Sequence, residues 1–391
     1  MNITLFDSIY HKQLLPLTYT KPVASLRVGI LTIQEKWEKY AKTKVAVRTQ
    51  DYLAKKFNSN TDGARMGINA SILPNKAIFG ELEDLETEHI LMKNGTVLAI
   101  NPLPNSSENL DEILVNYKIV ESQVGFLQVK NVWDIFALND TEIRNDLELI
   151  KPFKTFVKPS ETNQIIGNEV YIEEGAKVEC AILNSTTGPI YVAKDAEIME
   201  GSIIRGPLAL CENGVIKMGA KIYGATTIGP FSKVGGEINN CVIQAYSNKG
   251  HDGFLGNSVL GEWCNLGADT NNSNLKNNYQ SVDVYSYTEE KYVDTELQFC
   301  GLIMGDHSKS AINTMFNTGT IVGVSCNIYG ADFPSKFIPS FSWGGRRPMI
   351  YKVEKALDTA KIVCARRDIE VTEEDVKIME HIFEETSKYR K

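Results

Sequence analysis

Every sixth residue from Val192 is aliphatic: Ile198, Ile204, Leu210, Ile216, Ile222, Ile228 and Val234 follow it in strict step. A period of six matches neither the 3.6 of an α-helix nor the 2 of a simple strand. It is the signature of a parallel β-helix, in which six residues form one side of a triangular coil. The aliphatic residue of each hexad points inward, so stacked coils share one continuous core. The register starts earlier, with Ile166, Ile172 and Val178, and slips in phase around Ser185 to Gly188. It returns after an interruption with Gly305, Ala311, Asn317 and Gly323, whose small side chains suit coil corners; Met315 and Ile321 stand at the same spacing. The polar stretch from Asn271 to Gln298 breaks the repeat and is expected to protrude as a loop.

The flanks have a different texture. Before residue 155, strand-like stretches (Asn2 to Phe6, Gly67 to Leu73, Thr96 to Ile100) alternate with helical ones such as Ile30 to Tyr40, which predicts an α/β domain. The acidic run Gly80 to Glu88 reads as a solvated helix face. Beyond residue 346 the hexad disappears. Tyr351, Lys352, Lys355, Ala356 and Ala360 fit one helix, and Thr372-Glu-Glu-Asp375 resembles the capping box of another. The pattern divides the chain into an α/β domain (1–155), a β-helix (156–346) and a C-terminal helical segment (347–391).

Length and charge narrow the function. At 391 residues there is room for two or three domains. A net charge of −8 opposes broad nucleic-acid affinity, which needs a basic stripe, but leaves room for small phosphate-bearing ligands. No run of about 18 apolar residues predicts a membrane span, and the start of the chain lacks the pattern of a secretory leader. Seven cysteines without a C-x-x-C pair read as reduced thiols of a cytoplasmic protein.

Candidate chemistry centres on His251, in the polar, glycine-flanked segment Ser247-Asn-Lys-Gly-His-Asp-Gly-Phe254. Histidine is the usual general base near neutral pH. Gly250-His-Asp-Gly-Phe-Leu-Gly256, then Asn265-Leu-Gly-Ala-Asp-Thr-Asn-Asn-Ser-Asn274, with Ile228-Gly-Pro-Phe231 leading in, resembles the acetyltransferase half of the GlmU type of bifunctional enzyme. That resemblance implies a left-handed, trimeric β-helix using acetyl-CoA. It places His251 as the base that takes the proton from a sugar amine, Asn265 and Asn274 as sugar-site asparagines, and Lys233 near a basic position. Phe254 and Leu275 stand where the family carries tyrosines, and Asn239 replaces a second basic residue.

Leu15-Pro-Leu-Thr18, followed by Lys21-Pro22, resembles a stretch of the sugar-phosphate nucleotidyltransferases, and Arg27 to Trp37 resembles an atypical branch of them fused to a β-helix. The glycine-rich loop of that family is missing, and Gln13 stands in the place of its arginine with Lys12 alongside. The resemblance implies phosphate contacts from Lys12, Lys21 and Arg27, and places Asn69 where the family has a Mg²⁺-binding Asp. The expected function is nucleotidyl transfer from a nucleoside triphosphate, UTP by resemblance, to a sugar-1-phosphate, joined to N-acetylation of an amino-sugar phosphate by acetyl-CoA. The expected assembly is a homotrimer, with no nucleic-acid or membrane partner. A different class of function stays open: a nucleotidyltransferase-like module that binds a sugar nucleotide and regulates, trimerised by the β-helix.

Overall fold

The structure, a computed structural model, describes residues 2–58, 65–104 and 115–390. Two compact units divide the chain. One holds the chain up to Leu14, then Lys21–Leu26 and Leu31–Lys130; the other holds Leu15–Thr20, Arg27–Ile30 and everything from Asn131.

The first unit is built on a six-stranded mixed sheet in the order Ala46–Arg48, Ile3–Phe6, Met66–Asn69, Thr96–Asn101, His89–Lys93, Lys118–Glu121. The first three strands run parallel, and the hairpin His89–Lys93/Thr96–Asn101 is antiparallel. Its two-residue turn, Asn94-Gly95, has φ of 50° and 76°, the left-handed pair that matches strand twist and that Asn-Gly adopts most easily. The helix expected from Ile30 starts instead at Ile33. Thr32 and Glu35 close a reciprocal capping box there, satisfying end N–H groups that Leu31 has no means to satisfy. Trp37 from this helix is fully buried and donates its indole N–H to the Ile72 carbonyl (3.0 Å).

The second unit is the three-sided parallel β-helix that the hexads predict. Val192, Leu210 and Ile228 stack in register on one face, Ile198, Ile216 and Val234 on the second, and Ile204 and Ile222 on the third. All are at most 1% exposed and belong to one core. Each buried aliphatic side chain is worth about 1.5–3 kcal/mol. Two details of the register differ from expectation. In the first coil Ile165, not Ile166, aligns with the inward Leu183. After the interruption the inward set is Met304, Phe316, Val322 and Ile328, so Met315 faces out and is 37% exposed. Antiparallel strands close both ends, Phe156–Val157 on Val170–Glu173 and Met349–Ile350 on Ser342–Trp343, which blunts the open sheet edges.

One face is buried on both sides. Its outward column, Ala209, Thr227, Val242, Val259, Ile303 and Ile321, is 0% exposed. Leu15–Thr20, Arg27–Ile30 and the helix Asn139–Ile150 belong to the same unit and bond to the coils of this face. The Gln244 amide accepts from Arg27 N–H (2.7 Å) and donates to Arg27 C=O (3.0 Å). Thr227 Oγ1 donates to Gly29 C=O (3.0 Å), and Thr20 Oγ1 donates to Asp306 (2.6 Å).

The stretch expected to protrude between Asn271 and Gln298 is only partly a loop. Asn271–Asn272 still pair with Met315–Phe316 in the coil. A hairpin, Asp283–Ser286/Lys291–Asp294, follows. It folds onto an aromatic cluster in which Tyr285 stacks on Phe337 (3.8 Å) and Tyr287 meets Tyr19 and Tyr389 edge-on, so apolar burial overrides the polar composition. At the C-terminus the first helix spans Val353–Ala365, with Tyr351 and Lys352 preceding it, and Thr372 and Asp375 form the expected capping box of Glu373–Glu385.

Candidate active site

His251 sits on the corner Gly250–Gly253, between the strands Asn248–Lys249 and Phe254–Gly256. Two glycines make the corner possible. Gly253 has φ 111°, and a Cβ there would lie 2.3 Å from the Thr270 carbonyl; Gly236 below has φ 72°, with Asp252 and the His251 carbonyl within 2.9 Å of any Cβ. The His251 side chain is exposed and opens on a pocket of about 690 Å³.

Lys233 and Asn265 line the same pocket, so three of the residues singled out in the sequence come together there. Lys217 from a neighbouring coil and Arg366 and Arg367 from the end of the Val353–Ala365 helix join them. Arg367 Nη2 donates to the Phe231 carbonyl (3.2 Å), which ties that end to the coil. Cations are favoured at a helix C-terminus, where backbone carbonyls are unpaired. Burial, then the charges of Arg367, Lys217 and Arg366, holds the Lys233 ammonium below the usual lysine range. Four like charges gathered at one pocket form a receptor for an anion such as a phosphate.

One wall of the pocket is a pile of rings. Phe231, Tyr246, Trp263 and His307 occupy the same corner of successive coils, all at φ between 53° and 61°. Their centroids stack at 5.2, 4.3 and 6.3 Å with planes within 7° of parallel. The left-handed corner costs each of these residues about 1–2 kcal/mol, which ring stacking helps to offset. Tyr246 and Trp263 reach the pocket.

Beneath the corner lies Lys249, 1% exposed and directed inward. Its Nζ donates to the carbonyls of His251 (2.5 Å) and Asp252 (3.0 Å). Burial pushes it down to about 8, against the opposing pull of Asp252 and Asp269.

The remaining sequence candidates lie elsewhere. Asn274 does not line the pocket; its amide donates to Asn257 Oδ1 (2.8 Å). Lys12 is exposed on the short helix Tyr10–Gln13, whereas Lys21 is 4% and Arg27 9% exposed. The Arg27 guanidinium donates to the Ile30 carbonyl. Asn69 is 2% exposed, and its amide oxygen already accepts from Ser8 Oγ (3.1 Å), Ser71 N–H (3.1 Å) and Ser71 Oγ (2.9 Å). Three donors saturate that oxygen, so Asn69 does not fit the Mg²⁺ expected of it. Among the described residues no group of three His, Cys, Asp or Glu is placed to hold a metal. No helix among them is long and apolar enough to cross a membrane.

Sequence reading missed Lys217, Arg366, Arg367 and Lys249. The signals were present but faint: an Arg-Arg pair just past a helix, and a lysine where the step after Ile243 calls for an aliphatic residue.

Residues 3–154 match the family model described as sugar nucleotidyl transferase. The chain is 28% identical over 213 residues to the bifunctional protein GlmU of Methanocaldococcus jannaschii, covering 54% of this chain and 47% of that protein. It is 26% identical over 214 residues to a bifunctional sugar-1-phosphate nucleotidylyltransferase/acetyltransferase of Sulfurisphaera tokodaii, covering 54% and 47%. The uncharacterized acetyltransferase YaiX of Escherichia coli O6:K15:H31 is 26% identical over 206 residues, covering 52% and 84%. The matched region spans about half the length of the two bifunctional relatives.

Proposed function

We propose that this protein serves sugar nucleotide biosynthesis, its β-helix transferring an acetyl group from acetyl-CoA to the amine of an amino-sugar phosphate. The observation that carries the reading is the meeting of His251 with four cations in one pocket. The cations hold the phosphates of donor or acceptor. His251 takes the proton from the amine as its nitrogen attacks the thioester carbonyl; the C–N bond forms, the C–S bond breaks, and the proton passes on to the departing thiolate. Asn265, on the same wall, orients the sugar hydroxyls. The working assembly is a homotrimer, built from the two faces of the β-helix that the chain's own N-terminal segments leave uncovered.

The N-terminal unit, by its sugar nucleotidyl transferase likeness, supplies or accepts the sugar as its nucleotide. Transfer from a nucleoside triphosphate to a sugar-1-phosphate is the first reading for it, with Lys12 and Lys21 as candidate phosphate contacts. The saturated oxygen of Asn69 favours a second reading, in which this unit binds a sugar nucleotide without metal-assisted turnover.

Separate assays decide between them: thiol release from acetyl-CoA with amino-sugar phosphates, and pyrophosphate release from UTP with sugar-1-phosphates. His251→Ala is expected to lower acetyl transfer roughly 10²–10⁴-fold, leaving the melting temperature and any pyrophosphate release unchanged. Acetyl transfer at the wild-type rate in that variant would refute the role of His251.

A further inference from the structure

We propose that Lys249 is a positioning residue for His251, acting from inside the β-helix on the backbone that carries it. The inference rests on the reading of His251 as the base.

Lys249 interrupts a column of inward aliphatic residues. Ile198, Ile216 and Val234 precede it on the same inward face, and Lys249 pairs in register with Val234. Leu266 follows in the next coil. An aliphatic residue would fill the place, and a buried ammonium is costly unless its hydrogens find acceptors. Here the acceptors are the carbonyls of His251 and Asp252, at 2.5 and 3.0 Å. The ammonium therefore clasps from below two consecutive peptides of the corner, the first of which is attached to the Cα that carries the His251 side chain. The corner has glycines on both sides, at 250 and 253, and is intrinsically loose. A fixed imidazole on a loose corner needs such a clasp, because a displacement of about 1 Å at a reacting group costs up to ~10²-fold in rate.

The test is Lys249→Met, which keeps an unbranched apolar chain among aliphatic neighbours and removes the clasp. The expected result is a kcat for acetyl transfer lowered roughly 10- to 100-fold. KM for acetyl-CoA stays unchanged because the four cations are intact, and the fold survives with little change in melting temperature. Lys249→Gln, which retains N–H donors on a shorter, uncharged side chain, should recover part of the loss. The double variant with His251→Ala should be no slower than His251→Ala alone, since both changes act through one group. A kcat within about twofold of wild type in both Lys249 variants, with His251→Ala inactive, overturns the positioning role while sparing the base. The same holds if both variants fail to fold, or if losses in the double variant multiply, because Lys249 then acts on the core and not through His251. Normal acetyl transfer by His251→Ala overturns the base assignment, and with it this proposal.

Discussion

The inward ammonium of Lys249 should write itself into the pH dependence of stability. Burial pushes its titration down to about 8 from an ordinary 10.5. A lysine whose folded value lies below its unfolded value binds its proton more weakly in the native protein. Its charged form therefore costs stability. That cost is complete below about pH 8 and disappears as pH rises through 10.5. The separation of the two values corresponds to about 3 kcal/mol. Lys249→Met removes the titrating group, and also the two hydrogen bonds it gives, each worth about 1.5–3 kcal/mol from a charged donor. Near neutrality the two effects offset within a few kcal/mol, so the informative quantity is a slope. The stability of the variant relative to wild type should fall by about 3 kcal/mol between about pH 8 and 10.5. Other titrating groups are common to both proteins and cancel in the difference. Equilibrium urea denaturation of both proteins, followed by tryptophan fluorescence across that range, measures it. A difference that stays flat with pH refutes a buried, weakly basic lysine.

Two further outcomes follow from buried groups. Burial raises Asp7, in the first unit, to about 6, even though Thr49 Oγ1 and Val23 N–H donate to its carboxylate (2.6 and 3.0 Å). The native state then binds the Asp7 proton more tightly than the unfolded chain, so stability from this group is present at acid pH and lost as pH rises through about 6. Asp7→Asn should flatten that dependence, by about 3 kcal/mol at most, in denaturation curves recorded between pH 4 and 7. Of the seven thiols, Cys180 is exposed and the other six are buried, with burial pushing Cys241 and Cys300 up to about 12. A thiol reagent should accordingly label one cysteine in the native protein and all seven in denaturant; fast labelling of several native thiols would contradict the packing.

What could be read in the sequence followed from periodicity. Val192 to Val234 keep step because each inward position meets the same constraint, an aliphatic side chain inside a coil of fixed girth. The step fails where the constraint is met differently. Lys249 is inward yet polar because it finds carbonyls there, and Ser310 is inward because Thr270 Oγ1 lies 2.9 Å from its hydroxyl. His251, Asn265 and Lys233 were found because they sit on or beside one local motif. Arg366 and Arg367 reach the pocket from a helix more than a hundred residues on, and no local pattern announces that approach. The same limit applies to Leu15-Pro-Leu-Thr18 and Arg27. A phosphate-binding stretch and a buried strap look alike in one dimension, and only packing shows Arg27 N–H and C=O bound to Gln244.

That strap has a consequence for how the chain is made. Coils pair with neighbours about a turn away in sequence, so they can close one after another as they leave the ribosome. The coat on the outward column cannot. Thr20 waits for Asp306, 286 residues later, before its hydroxyl finds its acceptor. Until the strap docks, Ala209, Val242, Val259 and Ile303 form an open apolar seam. Contacts of such long sequence separation form slowly, so Thr20 reaches its place on the β-helix only once the coil that carries Asp306 has been made.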